Sequence, residues 1–159
     1  MAGTHRTIEG GRSAKGFRIA IVAARFNHFV VDKLLAGAVE TLTAAGISSQ
    51  DLDIVRVPGA FEIPLAAKKL ADSRHYEAVI TLGAVIRGGT PHFDYVAGEC
   101  ARGVTQAGLD SGVPVVFGVL TCDTLEQATD RAGGQHGNKG ADAALAAIEM
   151  ADLLRKLES

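Results

Sequence analysis

Several protein classes are excluded by what this chain lacks. It has only two cysteines, Cys100 and Cys122, and their separation matches neither a metal site nor a redox pair. No cysteine or histidine stands at ligand spacing, so no metal is expected, and the thiols read as buried or incidental in a reducing compartment. Lysine and arginine total 16 against 18 acidic residues, a formal net charge of -2 with no basic stripe, which argues against nucleic acid as a partner. No apolar run approaches the roughly 18 residues of a membrane span. Residues 1–16 are polar and Gly-rich and lack the apolar core of a secretory signal, so the cytoplasm is the expected location. There is no internal repeat and no low-complexity segment. What remains is 159 residues, 47% hydrophobic, enough for one core that needs no staples.

The most informative stretch runs from Val79 to Val96. It begins as an apolar run without polar alternation, the signature of a strand buried on both faces of a parallel sheet. Gly88-Gly89 breaks the run and Thr90-Pro91 begins a helix, with Thr as N-cap and Pro at the first helical position. A strand, a glycine turn and a helix N-terminus together favour an anion, because free amides and the positive dipole end point at whatever lies above the turn. His92 falls in the first helical turn, where the dipole opposes a second positive charge. It is therefore expected to be neutral near pH 7 and able to exchange a proton. A helix start with a merely solvated histidine fits the same residues. A nucleotide-hydrolase phosphate loop does not fit: Gly83, Gly88 and Thr90 match its pattern, but Gly89 stands where the essential lysine belongs.

The rest of the chain alternates strand and helix. Residues 1–16 read as an arm, loose or ordered by a neighbouring subunit, ahead of a single domain from 17 to 159. Strands are predicted near 17–23, 52–57, 78–85 and 114–120. Helices are predicted over 32–45, from Ala60 to about Asp72, from Pro91 to about Leu109, a short one ending at Arg131, and 138 to about 157. The Asp32–Ala45 helix carries a one-sided apolar stripe closed by Gly46. Asp123-Thr124-Leu125-Glu126 has the form of a capping box with Asp as the cap. Gly133 to Gly137 reads as a flexible joint, and Ala141, Ala144, Leu145, Ile148 and Ala151 as the inward face of the last helix. Crossovers long enough to hold helices predict an α/β fold, a three-layer αβα sandwich around a four-stranded parallel, flavodoxin-like sheet.

Unusual residues gather at the predicted carboxyl ends of strands, where open α/β sheets hold their ligands. Phe26 follows the first strand and is either a stacking plate or a core plug. Glu62 opens a helix, either to favour its dipole or to accept hydrogen bonds from a polyhydroxy substrate. Gly88 to His92 and Phe117 complete the rim, while Arg131 and Lys139 flank the glycine joint and could reach that rim or a neighbour. The inventory suits a small phosphorylated substrate beside a flat ring.

These residues resemble the lumazine synthase family. The matching segments are Ala24-Arg25-Phe26-Asn27, Val57 through Pro64, Gly83 through Tyr95, Phe117-Gly118-Val119-Leu120-Thr121, Glu126-Gln127-Ala128, Arg131-Ala132-Gly133 and Gly137-Asn138-Lys139-Gly140. The resemblance runs from about Phe17 to Arg155 and is carried by long ordered segments. It implies a transferase of riboflavin biosynthesis that condenses 5-amino-6-(D-ribitylamino)uracil with 3,4-dihydroxy-2-butanone 4-phosphate, giving 6,7-dimethyl-8-ribityllumazine, phosphate and water. By the same resemblance Phe26 stacks on the pyrimidine, and Ala60, Phe61 and Glu62 hold the ribityl chain. The backbone of Ala84, Val85 and Ile86 meets the uracil edge, Gly89 and Thr90 cradle the phosphate, and Arg131 clamps it. His92 transfers protons, Phe117 comes from an adjacent subunit, and Lys139 lies near the uracil carbonyls.

No cofactor is implied. The implied partners are the two substrates, other copies of the chain and riboflavin synthase. The family forms pentamers, in some members closed into a shell of twelve, and the short glycine segment 133–137 resembles the shell formers. The arm would then add a strand to a neighbour's sheet. One departure is Asp142, where such enzymes often carry Glu near the histidine; the shorter side chain would reach His92 less well. A non-catalytic lumazine or flavin binder is the alternative on the same fold, but it could lose His92 or Arg131, and both are here. A flavodoxin-type carrier or a phosphorylation receiver would need a hydroxyl-rich or doubly acidic loop where Arg25-Phe26-Asn27 stands.

Overall fold

The structure is a computed structural model that describes residues 3–159. Strands β1 (Ile19–Ala24), β2 (Leu52–Val57), β3 (Ala78–Ile86) and β4 (Val115–Cys122) form one sheet in the order β2-β1-β3-β4. Every pairing is parallel, with Ile19 opposite Leu52 and Ala78, and Val79 opposite Val115. All six residues of β1 are buried, as are eight of the nine in β3. Both central strands therefore lack alternation for the expected reason: each face meets a helix.

Helices α1 (His28–Ala44) and α5 (Lys139–Glu158) cover one face, and α2 (Ile63–Asp72) and α3 (His92–Ser111) cover the other. Ile19, Ile21, Ile80 and Leu82 pack with Val31, Leu34, Leu42 and Ile148 on the first side. Val22, Val79 and Val119 pack with Ile63, Cys100 and Val104 on the second. Each large side chain so buried contributes about 1.5–3 kcal/mol. Small residues let α1 and α5 cross closely. A methyl group at Gly140 would collide with the carbonyl oxygen of Leu34, and one at Gly118 would lie 2.6 Å from Thr81 O, beneath Ala143 of α5.

Several local expectations are corrected. Helix α1 starts at His28, a turn before Asp32, because Asn27 turns the chain directly with φ 61. The short helix α4 (Leu125–Asp130) is capped by Thr124, not Asp123; its hydroxyl accepts from Gln127 N while Gln127 reaches back to the cap. The segment taken for a flexible joint is a two-stranded antiparallel hairpin, β5 (Ala132–Gly134) with β6 (Gly137–Asn138). Its glycines serve a tight reversal: φ is 103 at Gly133 and 75 at Gly137, and a Cβ at Gly134 would sit 2.6 Å from Asp130 Cα. On α5, Ala143 and Ala147 are buried beside Ala144, Ile148 and Ala151, whereas Ala141 and Leu145 are only partly covered.

The arm lies against its own chain from Glu9 onward. Gly11 N donates to Asp152 Oδ2 at 2.6 Å, Arg12 pairs with Glu149 at 3.0 Å, and Lys156 Nζ donates to Glu9 O at 2.7 Å. Ala14 enters the core beside Phe17. Met1 and Ala2 lie outside the described residues.

Candidate functional site

The predicted residues collect in two cavities of the chain. The first is a cleft of about 700 Å³ at the carboxyl ends of β1, β2 and β3. Phe26, Ala60, Phe61, Glu62, Ala84, Val85, Ile86, Thr90 and His92 all line it, together with Asn27, Gly88 and Tyr95. Gly89 lies in the same turn but is not part of the wall. Phe26 is 71% exposed, and Phe61 and Tyr95 are also largely bare. These aromatic faces are therefore open to a ligand, and the core-plug reading of Phe26 is excluded.

Backbone bonds build this cleft. Arg25 N donates to Val57 O at 2.8 Å and Phe26 N to Pro58 O at 3.0 Å, joining the ends of β1 and β2. Asn27 Nδ2 donates to Ala84 O at 2.8 Å and ties the same corner to β3. A Cβ at Gly59 would lie 3.4 Å from Glu62 Oε1 and 3.9 Å from Phe26 Cβ. Gly59 thus lies between the carboxylate and the ring, which share one wall. The next wall is the Gly88–Thr90 turn and the start of α3. Its N-cap is Pro91 rather than Thr90; the Thr90 hydroxyl accepts only a long bond, 3.4 Å, from His92 N. Among the described residues no partner is found for the amides of Gly88, Gly89 and Thr90. The turn therefore presents donors and a helix dipole to an anion.

The second cavity, about 500 Å³, lies along the edge strand β4. Phe117, Arg131 and Lys139 line it with Cys122, Gln127, His136 and Asp142. Phe117 sits mid-strand, opposite Thr81, not at a strand's carboxyl end as expected. The hairpin fixes the two cations: Lys139 N donates to Arg131 O at 2.8 Å, and Asn138 caps α5 while its Nδ2 donates to Lys33 O at 3.0 Å. The guanidinium of Arg131 donates to Gln127 O at 3.0 Å. Burial pushes the Cys122 thiol above its ordinary range, and the Arg131 charge opposes that shift. Cys100, under α3, is pushed up by burial to about 11. Both thiols are free, buried and poor nucleophiles.

Within one chain, then, His92 and Phe26 share a cleft that Phe117, Arg131, Lys139 and Asp142 do not enter. The first cavity offers aromatic plates, a carboxylate, free amides and an imidazole. The second offers another aromatic plate and a cluster of cations. His136 and Asn27 escaped the sequence-based choice of site residues. His136 gives no signal without the hairpin, whereas Asn27 could have been found as a non-glycine suited to a left-handed turn after a strand.

The sheet order defines a flavodoxin-like α/β protein with an aromatic-walled cleft at the carboxyl rim of its sheet. A family model described as 6,7-dimethyl-8-ribityllumazine synthase matches residues 16–155. A curated protein of that name from Syntrophus aciditrophicus (strain SB) is 58% identical over 149 residues, 94% of this chain and 97% of the relative. The chain belongs to the 6,7-dimethyl-8-ribityllumazine synthase family, and it is an enzyme of the transferase class.

Proposed function

We propose that this chain condenses 5-amino-6-(D-ribitylamino)uracil with 3,4-dihydroxy-2-butanone 4-phosphate in riboflavin biosynthesis. One observation carries the residue assignments: the candidate residues divide into two cavities, each holding part of what the reaction needs. The cleft of His92 supplies a stacking plate in Phe26, a hydrogen-bond acceptor for the ribityl chain in Glu62 beside Ala60 and Phe61, and the backbone of Ala84, Val85 and Ile86 for the uracil edge. Gly89 and Thr90 cradle the phosphate. The cavity of β4 supplies Phe117 as the second plate, Arg131 as phosphate clamp and Lys139 toward the uracil carbonyls. The complete site is formed when the β4 edge of one subunit closes over the cleft of the next. The assembly is therefore a homo-oligomer, taken as a pentameric ring. The compact 133–137 hairpin, free of insertions, suits further closure into a shell. Two buried free thiols suit a reducing compartment, the cytoplasm.

The chemistry follows from juxtaposition. The amine attacks the ketone and water leaves as the imine forms. Phosphate is then eliminated, the ribityl-bearing nitrogen closes the ring on the carbonyl so exposed, and a second water leaves to give the lumazine. The butanone carries its own leaving group, so the residues have three tasks: hold both reactants in register, stabilise the departing anion, and move protons. The turn amides and Arg131 face the phosphate, and the His92 imidazole shuttles protons between the attacking amine and the oxygen that departs.

The test is to mix the two substrates with the protein and follow lumazine absorbance together with released phosphate. Binding of lumazine without turnover would assign the non-catalytic alternative. For the shared site, His92→Ala and Arg131→Ala chains are co-expressed and assayed at low butanone phosphate. Mixed assemblies should recover activity at about a quarter of their interfaces. No recovery above the separate variants would refute a site built from two subunits.

A further inference from the structure

Within one chain, the turn that carries the phosphate cradle opens onto free space on the side where its glycines lack a Cβ. A methyl group added at Gly88 or Gly89 would meet nothing within 4 Å. The Thr90 hydroxyl bond to His92 N is long at 3.4 Å. With no hydrogen bond to the amides of Gly88, Gly89 or Thr90 among the described residues, the placement of the imidazole depends on what holds the two ends of the turn.

Arg87 sits where both ends can be held. It is the last residue before the turn, and its N–H donates to Cys122 O at 2.9 Å, which anchors its backbone to the end of β4. Its side chain crosses the mouth of the turn. The guanidinium carbon lies 4.4 Å from the centroid of the Phe93 ring, and Nη1 lies 3.5 Å from Asp94 Oδ1. Nε donates to Asp123 Oδ1 at 2.8 Å, which locks the guanidinium from the far side. Phe93 and Asp94 directly follow His92, so Arg87 grips the far end of the loop it begins. A planar guanidinium can lie flat on a ring while its edge N–H groups address two carboxylates; a tetrahedral ammonium has no plane to stack and no fixed fork of donors.

We propose that Arg87 is a positioning residue for the condensation: it closes the base of the Gly88–Thr90 turn through Phe93 and Asp94, and so holds the His92 imidazole in place beside the phosphate cradle. The inference rests on the reading of the reaction given above. Fold stabilisation alone does not account for the arrangement. The side chains of Arg87, Asp94 and Asp123 are 47%, 63% and 65% exposed, and ion pairs so exposed add little to stability.

The experiment compares full-length wild type with Arg87→Ala, Arg87→Lys, Asp123→Asn and the double variant Arg87→Ala/Asp123→Asn. It measures kcat, the KM of each substrate, and Tm at one protein concentration. Arg87→Ala should lower kcat about tenfold or more, while the KM of the uracil amine stays within about twofold and Tm within about 2 °C. Arg87→Lys should recover only part of the loss. The double variant should be no slower than Arg87→Ala, because Asp123 acts through the guanidinium. A kcat for Arg87→Ala within about twofold of wild type, a loss that follows a fall in Tm, or additive losses in the double variant would each overturn the proposal. A wild-type chain inert toward both substrates would overturn the parent reading, and this one with it; normal wild-type turnover with an unaffected Arg87→Ala sinks this one alone.

Discussion

Asn27 offers a test in which two physical effects can be separated by two substitutions. Its backbone is left-handed, φ 61 and ψ 38, and its Nδ2 donates to Ala84 O at 2.8 Å in a partly buried corner of the cleft. Glycine accepts the left-handed backbone but makes no side-chain bond. Alanine makes no bond and also dislikes the conformation. The lost hydrogen bond is worth about 1 kcal/mol, and the entropy of a new glycine adds roughly 0.5 kcal/mol. Asparagine already holds a Cβ in the left-handed region, at a cost of about 1–2 kcal/mol that alanine keeps and glycine removes. Asn27→Gly should therefore cost no more than about 0.5 kcal/mol, and Asn27→Ala about 1 kcal/mol or slightly more. Asn27→Asp should also exceed the glycine variant, since a carboxylate would face the Ala84 carbonyl, acceptor to acceptor. Urea unfolding at one fixed protein concentration measures the series, because association makes the midpoint depend on concentration. If Asn27→Gly proves as costly as Asn27→Ala, backbone strain contributes nothing at this corner and the reasoning is wrong.

Other perturbations have equally definite outcomes. His92→Ala should lower kcat about a hundredfold at saturating substrates while equilibrium binding of the uracil amine survives; unchanged turnover would exclude a proton-transfer role. Arg131→Ala should raise the KM of the phosphate substrate about tenfold to a hundredfold, and an effect confined to the uracil would remove the clamp assignment. Gly140→Ala adds a methyl group where Leu34's backbone already lies; it should destabilise by about 1–3 kcal/mol despite alanine's better helix propensity, and a stabilised variant would contradict the close crossing. Folding keeps the Cys100 thiol protonated up to about 11 against an ordinary 9.0. The unfolded chain thus loses that proton first, and the stability the thiol contributes below pH 9 falls away as pH rises toward 11. Cys100→Ala should flatten that alkaline slope in denaturation midpoints, and an unchanged slope would assign it to other groups.

The parts of the fold visible in the sequence were those written in local chemistry. Strand β2 runs over the expected Leu52–Val57, because Pro58-Gly59 ends it. The unbroken apolar run of β3 announced burial on both faces. The first cavity was legible because ligands at a parallel sheet's carboxyl ends come from the turns themselves. Phe117 was misplaced because its role depends on β4 being an edge strand, and strand order is a long-range property. The 133–137 hairpin was missed because glycines mark a tight turn and a loose one alike; the strand pairing and the backbone bonds of Lys139 N to Arg131 O and His136 N to Asp130 O distinguish them. The cap of α4 was off by one residue because Asp123 and Thr124 are both good caps and Gln127 decides between them.

The strapping of Glu9–Ala14 onto α5 has a practical consequence. Arg155 stacks over Phe17 at 4.5 Å and reaches Glu77 at 4.0 Å, residues that lead into β1 and β3. The carboxy-terminal helix therefore finishes at the underside of the sheet, with Lys156 holding Glu9. A peptide fused after α5 would leave from that underside, away from the cleft. A brief flexible linker from the end of α5 to Glu9 should accordingly yield a permuted chain, reopened at the exposed Ser48–Gln50 loop, that still builds the same pocket.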